Sequence, residues 1–312
     1  MSSVRVLEAG LCTSIQDLGR EGYQEFGIPV SGVMDEFSAS VANFLVGNER
    51  GQALLEMTYT GGALEFLEPM QIALTGAHLS PKLNGEEIFN WESYAVKAGD
   101  ILQFGQLLSG ARAYLAFSGN LGVPLVHGSK STYMRAGIGG FCGRALQKGD
   151  ELLIQTHPAQ KKRHLPEKHR PIYHKQASLP ALLGPEAHYF SLKSVRRFFA
   201  SAYKISPRAD RMGICLEGEP LERLLQTELV SNPLVLGSVQ VPSSGQPIVL
   251  MADRQTLGGY PKIATLLKES VIALAQMLPG QVVRFIPLRL EQAQKRYCAF
   301  YKNLAHLQEI LK

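Results

Sequence analysis

The chain is poor in the residues that would announce its chemistry. Its 312 residues hold four cysteines, Cys12, Cys142, Cys215 and Cys298, with no C-x-x-C spacing among them. That argues against a disulfide framework or a zinc site and fits a reducing, cytoplasmic setting. Charged residues make up only 19% of the chain against 45% hydrophobic, the balance of a globular protein and not of a disordered one. No apolar run reaches the length of a membrane span, and Arg5 and Glu8 interrupt the start where a signal peptide needs an apolar stretch. No membrane partner is expected. The loop G-x-x-x-x-G-K-[ST], the G-x-S-x-G elbow, H-E-x-x-H and the dinucleotide-binding glycine fingerprint are all missing. A nucleotide site, if present, is unlike the common ones, and no metal site is expected.

What charge there is sits unevenly. Lys161, Lys162, Arg163, Lys168, Arg170 and Lys175 face a single acid, Glu167, an excess equal to the whole net charge of +5. His157, His164, His169 and His174 lie in the same stretch. A basic, His-rich, Pro-punctuated run reads as a solvated linker, and because no aromatics beyond Tyr173 are interleaved with it, no nucleic-acid partner is expected.

That run, over 156–180, divides the chain into halves of 1–155 and 181–312. Both are rich in short apolar runs separated by Gly, Pro and Asn; Met70–Ala77, Ala111–Phe117 and Pro247–Ala252 read as strands. Lys97-Ala-Gly-Asp and Gln147-Lys-Gly-Asp each put a turn directly before a strand, and Leu278-Pro-Gly-Gln repeats this more loosely. Helices are few. One opens at Asp35 or Glu36 and ends at Gly47; a second is capped by Ser191. A third carries Ala293, Tyr297, Phe300, Leu304, Leu307 and Leu311 on one stripe near the C-terminus. The expected fold is two mainly β domains with a few helices.

Three dense polar blocks remain. Thr13–Gly22 contains Gln16, Asp17 and Arg20. Ser31–Asp35 runs into the first helix and on through Asn43 to Asn48. Ala209–Gly213 contains Arg211, and is joined by Gln240, Gln246, Asp253, Gln255, Thr256, Gly258, Gly259 and Tyr260. Amide side chains donate and accept, guanidinium groups clamp carboxylate or phosphate, and glycine lets backbone N–H groups approach a ligand. The same residues also read as turn chemistry and structural Arg–Asp pairs. The binding reading expects Asp17, Arg20, Asp35, Arg211, Gln240, Asp253 and Thr256 to face polar grooves, because unpaired buried charges cost several kcal/mol.

These blocks carry a resemblance. Ser14-Ile-Gln-Asp-Leu-Gly-Arg, Ser31-Gly-Val-Met-Asp, Ala42-Asn-Phe-Leu-Val-Gly-Asn, Asp210-Arg-Met-Gly, Gln246-Pro-Ile-Val-Leu and Gln255-Thr-Leu-Gly-Gly-Tyr-Pro resemble the signature segments of a family that holds KipA and the C subunits of bacterial 5-oxoprolinases. The family is also called allophanate hydrolase subunit 2, or the biotin-dependent carboxyltransferase family. The resemblance implies two tandem cyclophilin-like β-barrel domains. It implies partners, a KipI-like B subunit, and a LamB/YcsF-like A subunit, with which the chain would hydrolyse 5-oxoproline to glutamate using ATP and Mg²⁺. A five-membered lactam is resonance-stabilised, and phosphorylating its oxygen would make the carbon electrophilic, a step made of positioning and charge stabilisation. Asp17, Arg20, Asp35, Arg211 and Asp253 supply those residue types, with Gln16, Ser31, Asn43, Gln240, Gln246, Gln255, Thr256, Gly258, Gly259 and Tyr260 as binding candidates. Two alternatives stand beside it: a urea carboxylase-like carboxyltransferase, whose biotin a partner would have to carry, and a non-catalytic regulator that binds KipI. Two positions depart from the family pattern. Leu257 stands where a second Thr is usual, and Ser270 where an Asp is usual; if that Asp caps a short helix, Ser replaces it well.

Overall fold

The short apolar runs fold as strands, and the mainly β class expected from them is observed. The computed structural model describes residues 2–158, 161–224 and 229–312. These fall into two units: Met1–Glu21, Ser31–Tyr173 and Asn303–Lys312 form unit 1, and Gly22–Val30 with His174–Lys302 form unit 2. Four α-helices occur among the described residues: α1 Glu36–Leu45, α2 Leu192–Ala200, α3 Lys268–Ala275 and α4 Leu290–Ile310. None of them is long and apolar enough to cross a membrane.

Unit 1 is built from two antiparallel sheets. In the seven-stranded one the order is Gly119–Leu121, Glu151–Thr156, Ser2–Glu8, Ala63–Phe66, Ile101–Gln103, Lys82–Leu83 and Glu86–Glu87. In the five-stranded one it is Thr13–Gln16, Leu54–Thr58, Ser109–Phe117, Met70–His78 and Glu92–Val96. Alternation along Ser2–Glu8 shows why the sheets pack as they do. Val4 and Val6 are buried in the common core with Leu55, Ile72 and Phe117, each such side chain stabilising by about 1.5–3 kcal/mol. Arg5, on the opposite face, stands across from Glu151 on one neighbour and Glu65 on the other, and forms an ion pair with each.

Unit 2 closes its sheet. The barrel order is Gln176–Leu183, Lys262–Leu266, Ser238–Gln240, Ile248–Leu250, Gly213–Glu217, Ala202–Ala209 and Val282–Leu288. A parallel pairing of the first strand with the last completes the ring. Helix α2 begins at Ser191, whose hydroxyl accepts from the Ser194 N–H as the sequence implies. It buries Phe198, which stacks on Phe285 with centroids 4.4 Å apart. Helix α3 is not among the three helices read from the sequence. Its N-cap is Leu267, and Ser270 lies one turn in, donating to the Pro180 carbonyl at 2.7 Å. Ser270 is therefore a tie between helix and barrel strand, not a cap. An ionised Asp could not donate that bond.

The repeated turns share one geometry. Asp100 and Asp150 each accept from the N–H three residues back, at Lys97 and Gln147, and Gln281 does the same for Leu278. In each the N–H of the fourth residue also returns to the first carbonyl, at 3.1 Å, and the glycine has positive φ.

The basic run behaves differently from a free linker over its described part. Ser93 N–H donates to the Arg163 carbonyl and Arg163 N–H to Ser93 Oγ, Leu165 N–H donates to the Trp91 carbonyl, and Leu165 is fully buried. Lys162 pairs with Glu92 and lies over the Tyr94 ring. Glu92–Val96 is an edge of the five-stranded sheet, and residues 163–165 satisfy backbone groups that the edge would leave open.

Candidate functional site

The first two polar blocks fold inward. The Asp17 carboxylate accepts from the N–H groups of Gly19 and Lys130 and from the hydroxyls of Ser129 and Ser131. Arg20 is fully buried and donates to the Ser131 carbonyl, passing so close to Gly139 that a Cβ there would meet its Nη2 at 2.8 Å. Gln16, also fully buried, donates to Ser14 Oγ and the Thr132 carbonyl. Asp35 caps α1: Oδ1 accepts from Ser38 N–H and Oδ2 from Ser38 Oγ. Its own N–H donates to Tyr114 Oη, which donates to Glu56, and burial holds that phenol well above its ordinary pKa. Asn43 and Asn48 bond each other and close the C-terminal end of α1. Ser31 is buried at φ 56°. Asp17, Arg20 and Asp35 thus hold loops and a helix end together instead of facing a groove. Closely spaced loops supply the donors that satisfy the Asp17 and Asp35 carboxylates internally.

In unit 2 the third block is a hairpin loop between Ala202–Ala209 and Gly213–Glu217. Asp210 Oδ1 accepts from the N–H groups of Met212 and Gly213, an Asx turn that fixes the loop. Arg211 is thereby aimed inward, where Nε and Nη2 fork onto the two oxygens of Asp253 at 3.0 and 3.1 Å. Both side chains are buried. Gln246 gives both ends of its amide to the Gly218 backbone, and buried Thr256 uses its carbonyl to receive Leu234 N–H. These four are framework.

Three candidates do converge on an opening. Gln240, Gln255 and Tyr260 line a groove of about 480 Å³ at the barrel surface, together with Arg208, Asp210 and Cys215. Its apolar wall comes from Met212, Ile248 and Leu250. Gln240 is almost fully buried, and its Nε2 donates to the Tyr260 carbonyl at 3.1 Å. That bond orients the amide so that Oε1, without a partner among the described residues, can accept. Gly258 leaves room for this amide: a Cβ there would meet Leu234 Cδ1 at 2.8 Å and Gln240 Nε2 at 2.9 Å, so one of those side chains would have to shift. Gly259 makes a similar close approach to the Leu229 carbonyl. Leu257, more than half exposed, does not line the groove.

Arg208, Cys215 and Arg254 are not among the candidates that the sequence suggests. Arg208 lies just outside the Ala209–Gly213 block, two residues before Asp210. Arg254 is buried beside Asp253, and burial pushes its guanidinium down to about 10, opposed by that carboxylate. Its place in a run of charged and amide residues was the available signal. Among the described residues no group of three or more His, Cys, Asp or Glu side chains could hold a metal ion.

Over residues 26–287 the sequence matches the family described as carboxyltransferase domain, subdomain A and B. It is 38% identical over 297 residues to the 5-oxoprolinase C subunit of Escherichia coli, covering 94% of this chain and 93% of that protein. Identity to the 5-oxoprolinase C subunit of Haemophilus influenzae is 36% over 293 residues, with the same coverage. Among solved structures, urea amidolyase of Kluyveromyces lactis matches with a TM-score of 0.93 and 29% identity over 98% of this chain, which spans 20% of that protein.

Proposed function

The chain belongs to the carboxyltransferase-domain family that includes the C subunits of 5-oxoprolinases, and from that membership we propose that it is the C subunit of an ATP-dependent 5-oxoprolinase. In this reading it works with a KipI-like B subunit, and with a LamB/YcsF-like A subunit, to convert 5-oxo-L-proline to L-glutamate. The observation that carries it is 38% identity across nearly the full length of both chains. The groove supports it chemically. A γ-lactam presents one N–H and one C=O, the pair that an amide side chain complements, and Gln240 and Gln255 bring two amides to one apolar-walled opening.

ATP with Mg²⁺ belongs to the proposal, but the residues of this chain do not fit it alone. The Asp17 and Asp35 carboxylates already accept two or more hydrogen bonds each, and Asp253 is forked by Arg211. No phosphoryl step is therefore routed through them. The part assigned to this chain is to bind and orient the lactam.

The test is reconstitution. Glutamate release from 5-oxo-L-proline by the companion subunits should require this chain and ATP, while the chain alone releases none. An unchanged rate when the chain is left out would remove the reading. The match to urea amidolyase favours a second reading, carboxyl transfer from biotin, since two amides also complement a ureido ring. Avidin separates the two, because it would abolish biotin-dependent transfer and leave lactam hydrolysis untouched.

A further inference from the structure

We infer that Arg208 is the residue that selects the carboxylate of the substrate, holding it while Gln240 and Gln255 meet the ring amide. This rests on reading the groove as a 5-oxoproline site, and it adds what that reading leaves open: how a charged lactam is told from a neutral one. Two glutamines and a tyrosine serve any small cyclic amide. Discrimination needs a group whose interaction is lost when the carboxylate is missing.

Arg208 is the one cation among the described residues that line the groove. Among those residues its side chain has no hydrogen bond or ion pair; only its backbone N–H is engaged, 3.5 Å from Ser206 Oγ. The other guanidinium of the hairpin, Arg211, is buried and forked onto Asp253, so it has no exposed edge to offer. Asp210, the carboxylate in the groove wall, is turned to the Met212 and Gly213 N–H groups. Cys215 locates the Arg208 charge. Burial pushes that thiol up and Arg208 opposes the rise, while the Asp210 and Glu217 carboxylates add to it, so the Arg208 charge is felt at this wall alongside two acids.

The wall also strengthens the interaction. Met212, Ile248 and Leu250 exclude water from one side of the groove, and a charge-assisted bond there is stronger than on open surface. The guanidinium fork further matches the two oxygens of a carboxylate in a way that an ammonium does not.

The experiment uses the complex reconstituted with its companion subunits, and compares wild type, Arg208→Gln and Arg208→Lys. Each is assayed on 5-oxo-L-proline and on 5-oxo-L-prolinamide, which keeps the lactam and lacks the charge. Arg208→Gln should raise KM for 5-oxo-L-proline about ten- to a hundredfold, the scale of a hydrogen bond to a charged group, with little change in kcat. KM for the amide should stay at the wild-type value, and Arg208→Lys should fall between. A thermal melt coincident with wild type shows that folding is intact, as expected for an exposed side chain. Equal KM values for wild type and Arg208→Gln on 5-oxo-L-proline, or a parallel loss on both substrates, would overturn the assignment while leaving the function standing. A wild-type complex inert toward 5-oxo-L-proline would remove the function and this assignment with it.

Discussion

In unit 1 the polar block Gln16–Arg20 closes on itself: Asp17 takes up four donors and Arg20 has no exposed surface. In unit 2 a block of the same composition divides. Arg211 and Asp253 turn inward and pair, while Gln240, Gln255 and Tyr260 stand at the wall of a groove. Composition is the same in the two cases, so it does not separate framework from site. What separates them is whether the side chain stands at an opening: Gln16 and Arg20 are enclosed, while Gln240, Gln255 and Tyr260 line the groove. An enclosed group meets only its own fold, whereas an amide anchored at one end beside an opening keeps the other end available for a ligand.

Breaking the closed block should have the largest effect. Arg20→Ala leaves the Ser131 carbonyl without its donor and a cavity where a fully buried side chain stood, and should destabilise the chain by about 2–5 kcal/mol. Urea unfolding measures this, and activity per folded molecule should stay near wild type. Activity lost without a drop in stability would place Arg20 in the site instead.

Asp253→Asn comes next. It keeps the shape but removes the charge that receives the Arg211 fork, and should cost about 1.5–3 kcal/mol. If Arg211 and Asp253 are framework, KM should follow folding alone. A selective loss of kcat at full stability would contradict that.

Gln255→Ala reverses the pattern. The side chain is exposed, so stability should change by no more than about 0.5 kcal/mol. KM for 5-oxo-L-proline should rise about three- to tenfold, the worth of one neutral hydrogen bond. An unchanged KM would move the lactam away from this wall.

The smallest effect concerns acid. The bidentate bond from Arg144 holds the Asp150 carboxyl below its ordinary value of 3.8, in a turn of unit 1. A depressed folded pKa gives stability that is present above the unfolded value and is lost as pH falls through the folded one. The acid limb of unfolding should therefore begin below about pH 4. Asp150→Asn should flatten that limb and lower stability at neutral pH, as followed by unfolding across pH 2–7. An identical acid limb in the variant would show the pair to be solvent-screened.

Much of this was legible along the chain. The first helix read as opening at Asp35 or Glu36 and the second as capped by Ser191; Asp35 and Ser191 proved to be the N-caps, with side chains that accept from the residue three positions on. The Gly-Asp turns were visible because glycine with positive φ and an acceptor at the fourth position are local requirements. Helix α3 was not legible: its N-cap is Leu267, with no side-chain cap bond to mark it.

Fold class, family and the inventory of polar residues could all be read along the chain, because strand alternation, turn chemistry and signature segments are written in neighbouring positions. Which of those residues are framework emerged from the packed molecule alone. Asp17 meets Ser129 and Ser131 across more than a hundred residues, and Arg211 meets Asp253 across 42. Satisfaction of a buried charge depends on such distant partners, and so does the opening where Arg208, Gln240 and Gln255 remain available.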